Sequence, residues 1–102
     1  MNINLEQYIQ YRGRQFEKLF PGKKTVIYIF DSKEWLKLFP NDKLRLTKSS
    51  GVSNQEGYIW IDPKLDTIDR LDEVILHELT HVYKPKLTER QVIAFVKRKL
   101  EN

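Results

Sequence analysis

The sequence predicts an α+β domain in which helices cover a small three-stranded sheet. Short β-branched or alternating runs are separated by longer amphipathic runs, in the order helix, strand, helix, strand, strand, helix, helix. The 102 residues suffice for one modest hydrophobic core, so residues 1–102 are expected to form a single domain. The chain contains no Cys, which excludes disulfides and thiolate metal sites as sources of stability.

The N-terminal segment predicts a helix that backs the sheet. Its stripe of apolar side chains follows the helical period, weakens at Arg12 and Gly13, and ends at Pro21 and Gly22. The stripe comprises Leu5, Tyr8, Ile9, Phe16, Leu19 and Phe20. Directly after it, the β-branched and aromatic run TVIYIF at 25–30 predicts a buried strand.

The segment DSKEWLKLFPN predicts a short second helix. Asp31 stands three residues before Glu34, which is the spacing of a capping box, and Pro40 ends the helix. The apolar residues that this helix is expected to bury are Trp35, Leu36 and Phe39.

Two further strands are predicted in the middle of the chain. KLRLTKS at 43–49 alternates leucine with charged residues, which indicates a strand with one face in solvent. The polar stretch 49–57 indicates a loop or a hairpin, and GYIWIDP at 57–63 indicates the third strand of the sheet.

The strand at 57–63 alternates between two apolar faces. Tyr58 and Trp60 lie on one face, where we expect plain core packing, and Ile59 and Ile61 lie on the other. The edge of this strand is expected to offer its backbone groups to an extended peptide.

Two helices are predicted to complete the chain. The first begins at about Asp66 or Asp69 and ends at Lys84, because Pro85 blocks its continuation. The second runs from Thr88 to the C-terminus, and the sequence TERQ at its start again has the spacing of a capping box.

The first of these helices carries a group of polar side chains in an apolar setting. His77 and His81 are four residues apart and therefore share one helix face, where both imidazoles face a single point. With Glu78 they form the H-E-x-x-H pattern of zinc peptidases, in which the histidines bind the metal and the glutamate acts as general base. These are the two histidines of the chain, and their neighbours are mostly apolar. Burying these three side chains without a partner would cost free energy, and a bound divalent cation removes that cost.

A third ligand is expected because catalytic zinc commonly takes three protein ligands and one water. Downstream of the histidines, the carboxylates are Glu89 and Glu101, and Glu101 stands at a fraying terminus. Glu89 lies in the first turn of the last helix, just after a short break, so we predict it as the third ligand. Its alternative role is a favourable interaction with the helix dipole. Glu73, one turn before His77, is a weaker candidate.

Residues 77–81, HELTH, followed by Glu89 on a second helix, resemble the gluzincins, a clan of zinc peptidases with two motif histidines and a downstream glutamate. The size and the element order are similar to those of the archaeal minigluzincins over essentially the whole chain. This resemblance implies a minimal zincin-like fold and a soluble zinc metalloendopeptidase that acts on a peptide or protein substrate. It further implies Zn²⁺ held by His77, His81 and Glu89, with Glu78 as the catalytic residue. It also implies a latent proenzyme with a terminal segment in the cleft.

The C-terminal stretch supports a different interpretation. LTERQVIAFVKRKL at 87–100 resembles the recognition helix of a homeodomain, which would make the chain a small basic DNA-binding protein. However, Arg98 occupies the position of that family's base-contacting Asn, and Phe95 that of its core Trp, so we do not expect a nucleic-acid partner. A solvated basic face at the helix C-terminus is the ordinary explanation for Lys97, Arg98 and Lys99. A zinc-binding scaffold without catalysis is the remaining alternative.

Charge and hydropathy set the expected partners and location. The net charge of +4 and the pI of about 9.3 suit an anionic partner without requiring one. No apolar run approaches the roughly 20 residues that span a bilayer, so no membrane span is expected. The start MNINLEQYIQ has neither a basic nor an apolar signal region, and the cytoplasm is therefore the expected location.

Overall fold

The order of helices and strands confirms the α+β class. The structure, a computed structural model, describes residues 4–22, 24–29 and 31–101. Along the chain it contains α1 (Leu5–Glu17), β1 (Val26–Ile29), α2 (Ser32–Leu38), α3 (Lys43–Lys48), β2 (Gly51–Ser53), β3 (Tyr58–Ile61), α4 (Ile68–Tyr83) and α5 (Glu89–Leu100). Phe30 and Asn102, the last residues of a predicted strand and a predicted helix, lie outside the described residues. In the described part of the chain, no helix is both long and apolar enough to cross a bilayer.

The strands form one mixed sheet in the order β1, β3, β2. β1 is parallel to β3, with Val26 opposite Tyr58, and β2 is antiparallel to β3, with Val52 opposite Trp60. β3 is therefore the central strand, and both of its edges are hydrogen-bonded within the sheet. The expectation that GYIWIDP offers a free edge to a peptide is wrong for this reason.

Helix α1 covers the outer edge of β1. The Gln10 side-chain amide donates a hydrogen bond to the carbonyl of Ile27 (3.1 Å), and the Arg14 guanidinium donates one to the carbonyl of Thr25 (3.2 Å). Unpaired strand edges invite pairing with other chains, and covering them is a common protection. Among the described strands, this leaves the outer edge of β2 as the one without such a cover.

The segment 43–49 forms helix α3, so the strand predicted there is wrong. A 3-10 turn at Pro40–Asp42 leads directly into this helix, and Lys, Leu and Arg all have good helix propensity. Residues two apart point in nearly opposite directions on a helix. Accordingly, Leu46 is buried while Leu44 is exposed, and the alternation that suggested a strand arises from a short amphipathic helix.

The strand that completes the sheet, β2, lies instead in the polar stretch 49–57, where the predicted hairpin alternative is confirmed. β2 pairs with β3 through a tight connection in which the Asn54 side-chain oxygen accepts hydrogen bonds from the backbone N–H groups of Glu56 and Tyr58. Gly57 closes the turn with a φ of +93°, a left-handed conformation that favours glycine.

Helices cover both faces of the sheet and produce two hydrophobic clusters. The larger cluster joins α1, α4 and α5 to the face of β3 that carries Ile59 and Ile61. The smaller one lies on the opposite face, where α2 and α3 pack against Val52 and Trp60. The predicted alternation in β3 and the core role of Trp60 are thus confirmed. The smaller cluster consists of Trp35, Leu46, Val52 and Trp60, with Tyr28, Leu36, Phe39 and Tyr58 partly buried against it.

Most of the residues in the predicted apolar stripe of α1 are buried or partly buried in the larger cluster. The helix ends before Leu19, which is exposed, whereas Phe20 is buried and stacks on the ring of Tyr83. The gap in the stripe at Gly13 has a packing reason. A Cβ atom at Gly13 would lie 2.5 Å from Cδ1 of Ile27. Glycine at this position therefore allows α1 to lie close to β1.

Candidate metal centre

Helix α4 positions the two histidines on the face that it turns away from the core. Its bounds agree with the prediction, with the Thr67 side chain capping the N-terminus and Lys84 capping the C-terminus. The opposite face of α4 is fully buried in the larger cluster through Leu71, Ile75, Leu76 and Leu79. Because the helix cannot rotate without exposing these residues, His77 and His81 are held towards a cleft. Their Nε2 atoms lie 3.1 Å apart.

Helix α5 brings Glu89 to the histidines. The chain turns back after α4, and Thr88 and Gln91 form the predicted capping box at the start of α5. Glu89 is the first residue of α5, and each of its two carboxylate oxygens lies close to Nε2 of one histidine. Oε1 lies 2.6 Å from Nε2 of His77, and Oε2 lies 2.8 Å from Nε2 of His81. The structure therefore brings together the three side chains that were predicted as metal ligands.

The donor set of this trio fits a zinc ion. Zinc in proteins takes imidazole nitrogens and carboxylate oxygens at about 2.0–2.2 Å, which places tetrahedral ligand atoms roughly 3.3 Å apart. The separations of 2.6, 2.8 and 3.1 Å are slightly shorter, as expected where a carboxylate hydrogen-bonds directly to the imidazoles. A small outward shift of Glu89, which is 63% exposed, accommodates an ion.

Hydrogen bonding between Glu89 and the histidines without a metal is the alternative explanation for the trio. An exposed carboxylate beside an imidazole is a common surface arrangement and contributes little to stability. The same three side chains could each contribute one ligand atom to a single divalent cation.

Glu78 lies beside the trio but does not belong to it. It is only 8% exposed, and the Ser53 hydroxyl on β2 donates a 2.7 Å hydrogen bond to its Oε1. Burial raises the pKa of Glu78 above the ordinary value, and the Ser53 hydrogen bond and the nearby His77 and His81 partly oppose that rise. The site thus contains a desolvated carboxylate that is held in place by the edge strand.

Gly51 allows β2 to pass close over this carboxylate. A Cβ atom at Gly51 would lie 2.7 Å from Cγ1 of Val74 and 3.0 Å from Cγ of Glu78. Any larger residue would therefore push the strand away from α4 or displace the Glu78 side chain. The absence of a side chain at this position brings Ser53 within reach of Glu78.

The three predicted ligands line a cleft that follows β2. One cavity of about 320 Å³ extends from His77, Glu78 and Glu89 towards Arg70 and Val74. A second, of about 370 Å³, extends from the same side chains and His81 in the other direction, towards Arg45, Ser53 and Gln55. An extended chain that lies along β2 would cross both cavities and pass over the trio.

The weaker ligand candidates are outside the trio. Glu73 lines the first cavity, and Glu101 lines a neighbouring groove between α4 and α5. Sequence reasoning missed Ser53 and Gly51, because the three-residue strand that carries them lies in a polar stretch without a strand pattern. The glycine itself was a signal, since a glycine inside a strand often marks a close backbone approach.

Comparison of the chain with protein-family models, with curated proteins and with solved structures found no match.

Proposed function

We propose that the chain is a minimal zinc metallopeptidase of the gluzincin type, as its resemblance to the minigluzincins implies. One observation carries the proposal. The Nε2 atoms of His77 and His81 and the carboxylate of Glu89 converge on one point, directly beside the buried carboxylate of Glu78. Ligands of the kind that zinc prefers and a desolvated base are the two parts that zinc-assisted hydrolysis requires.

The trio would hold the metal, with His77 and His81 presenting Nε2 and Glu89 presenting its carboxylate. When bound, zinc supplies Lewis acidity, which lowers the pKa of a water molecule towards neutrality and polarises an amide carbonyl. Three protein ligands leave a fourth position for solvent or substrate, as catalytic zinc sites require.

Glu78 would serve as the proton carrier of the reaction. Its Oε1 accepts the hydrogen bond from Ser53, whereas Oε2 accepts none from a described residue. Oε2 is therefore the atom that takes a proton from the attacking water and returns it to the leaving amine. The raised pKa of Glu78 suits this role, because a base is most effective when its pKa lies near the working pH.

The outer edge of β2 would bind the backbone of a peptide or protein substrate. The carbonyl of Ser50 accepts from the N–H of Asp62 (2.9 Å), and the N–H of Asn54 donates to the carbonyl of Tyr58 (3.1 Å). Alternate residues of an antiparallel strand face its partner, so the backbone groups of β2 between these bonds, at its first and third residues, face away from β3. These groups border the cleft, and an extended peptide there would add a strand to the sheet.

The proposed location is the cytoplasm, and the proposed partner is a peptide or protein substrate. A chain without Cys is compatible with a reducing compartment. The substrate assignment depends on the open strand edge beside the trio, because main-chain pairing recognises an extended polypeptide irrespective of its sequence.

The substitution Glu78→Gln tests the proposal. Glutamine keeps the shape and can still accept the Ser53 hydrogen bond, but it cannot carry a proton. We therefore expect the variant to bind zinc like the parent and to lose at least about a hundredfold in peptide hydrolysis. Digestion of a broad peptide library by zinc-loaded proteins, followed by mass spectrometry, measures this loss.

Asp69→Asn is the matched control for this experiment. Asp69 is an exposed carboxylate on the same helix that lines neither cavity over the trio, so its variant should hydrolyse peptides at nearly the parental rate. Hydrolysis by Glu78→Gln at the parental rate would overturn the assigned role. Zinc binding without hydrolysis in the parent would instead favour the non-catalytic scaffold.

A further inference from the structure

The net positive charge of the chain is concentrated near its C-terminal end. Residues 84–101 contain six Lys and Arg and two Glu, so this segment accounts for the whole net charge of +4, and the charges of residues 1–83 balance. One of the two glutamates, Glu89, lies at the trio. The charge that suits an anionic partner is therefore carried by α5 and by the turn before it.

Three of these cations lie around the ring of Phe95. Nζ of Lys84 is 5.8 Å from the ring centroid, Cζ of Arg98 is 5.9 Å from it, and Nζ of Lys99 is 5.6 Å from it. A cation at such a distance is attracted by the electron-rich face of an aromatic ring. Lys84 caps the end of α4, whereas Arg98 and Lys99 belong to the last turn of α5. The fold thus brings cations from two helices to one place.

These three cations have no acidic partner in the described part of the chain. Lys84, Arg98 and Lys99 form no ion pair with a described carboxylate. The ring of Phe95 and the partial negative charge at the two helix ends offset part of their mutual repulsion. A carboxylate bound among them would supply the full negative charge that the described residues do not provide.

The cations border a groove that is separate from the metal centre. We define the basic groove, which has a volume of about 390 Å³, by Lys84, Leu87, Gln91, Ala94, Phe95 and Arg98. None of these lining residues is acidic, and none of them lines either cavity over the trio. Gln91 adds a neutral donor, because its Oε1 accepts the N–H of Thr88 while its Nε2 has no acceptor among the described residues.

The shape of the basic groove favours an acidic polypeptide over other polyanions. Single-stranded nucleic acids stack their bases on exposed aromatic rings. Phe95 is only partly exposed, and Phe20 packs against it with ring centroids 5.7 Å apart. A membrane surface is flat and binds helices that insert large apolar side chains, whereas this surface is concave and its Leu87 and Phe95 are partly buried. Carboxylate side chains of an extended segment can enter such a groove.

We propose that the basic groove docks an acidic segment of a partner protein, whose carboxylates lie between Lys84, Arg98 and Lys99. The proposal does not depend on the metal centre or on the proposed peptidase function, because the two sites share no lining residue. Ion pairs between exposed side chains are individually weak and are screened by salt. The partner segment therefore has several acidic residues close together.

The affinity of the full chain for acetylated hexaglutamate, measured by isothermal titration calorimetry at low ionic strength, tests the proposal. Acetylated hexaglutamine is the neutral peptide of the same length. We expect hexaglutamate to bind about tenfold or more tightly than hexaglutamine, because several weak ion pairs act together. Added salt should weaken this binding. The affinity should be the same with and without zinc.

Two double variants assign the binding to the basic groove. Arg98→Gln/Lys99→Gln should reduce the affinity for hexaglutamate towards that for hexaglutamine. Lys43→Gln/Lys48→Gln is the matched control, because it removes the same charge from exposed side chains of α3, on the opposite face of the sheet. It should retain the parental affinity. Glutamine has good helix propensity, so both variants should remain folded.

Several outcomes would overturn the proposal. Equal affinity for the two peptides, or equal hexaglutamate affinity in the two double variants, would refute the basic groove as their binding site. Binding that requires zinc would place the peptide at the trio instead. Oligothymidylate or vesicles of phosphatidylserine are the competing probes. If either binds the parent more tightly than hexaglutamate does, and loses that binding in Arg98→Gln/Lys99→Gln, the groove belongs to nucleic acid or to a membrane.

Discussion

Glu89 is the residue on which the proposed metal centre depends most, because its carboxylate connects the last helix to both histidines. Its Oε1 lies 2.6 Å from Nε2 of His77, and its Oε2 lies 2.8 Å from Nε2 of His81. The histidines could be predicted as a pair from their spacing on one helix. Glu89 could be predicted only by excluding other carboxylates, since no local pattern shows how two helices pack together.

Glu89→Ala should weaken zinc binding at least about a hundredfold, because loss of even an outer partner of a zinc ligand costs 10- to 100-fold. Competition with a chromophoric chelator measures the affinity. Glu101→Ala is the control, since Glu101 is a carboxylate at the opposite end of the same helix and lies outside the trio. Equal zinc affinity in Glu89→Ala and the parent would remove Glu89 from the centre.

Glu78 should destabilise the metal-free protein at neutral pH. Burial raises its pKa above the ordinary value of 4.5. A group whose pKa is higher in the folded state contributes stability below its unfolded pKa and loses that contribution as the pH rises through the folded value. Glutamine does not titrate, so the metal-free Glu78→Gln variant does not lose stability in this way as the pH rises.

We therefore expect metal-free Glu78→Gln to gain stability over the metal-free parent as the pH rises from 4.5 to neutrality. Urea unfolding at a series of pH values measures the difference between the two proteins. Glu73→Gln, in which an exposed carboxylate is replaced, should show no such trend. A difference that stays constant across this pH range would contradict the assigned burial.

At the scale of elements, the start of α5 sets the position of Glu89. The Thr88 side chain accepts a hydrogen bond from the N–H of Gln91, and the Gln91 side chain accepts one from the N–H of Thr88. This capping box was predicted from the sequence because both of its partners are local. It fixes the first turn of α5, from which Glu89 extends to the histidines.

Thr88→Ala should lower the free energy of unfolding by about 1 kcal/mol through loss of the N-cap. It should also weaken zinc binding, because the first turn that carries Glu89 becomes less ordered. Urea unfolding and chelator competition measure the two effects. Thr47→Ala is the control, since the exposed Thr47 hydroxyl donates only to the carbonyl of Leu44 within α3. Unchanged zinc affinity in Thr88→Ala would show that the cap does not position Glu89.

The elements that could be predicted are those with a repeated local pattern. The sixteen residues of α4 and the twelve of α5 repeat the helical period several times, and both have caps. The segment 43–49 contains only two leucines, which fit a strand and a short helix equally well. The three residues of β2 have no pattern at all; they pair with β3 and lie close to Glu78 and Val74 of α4.

At the scale of the molecule, contacts distant in sequence hold α4 in place between the core and the cleft. Asp72 accepts hydrogen bonds from the Tyr8 hydroxyl (2.6 Å) and the Arg12 guanidinium (3.1 Å), which join α1 to α4. Burial, together with Asp72, raises the pKa of Tyr8 to about 12. No sequence pattern shows these contacts or the strand order, because they depend on how elements dock rather than on local preference.

The central claim is that the trio is a zinc centre which links α4 to α5. Zinc bound by the folded chain but not by the unfolded chain stabilises the fold by mass action. The most direct measurement is the zinc content of the parent and of His77→Ala after dialysis against dilute zinc and then against zinc-free buffer. The account predicts one tightly held zinc ion per parent chain and nearly none in the variant. A parent chain that retains no more zinc than His77→Ala would contradict it.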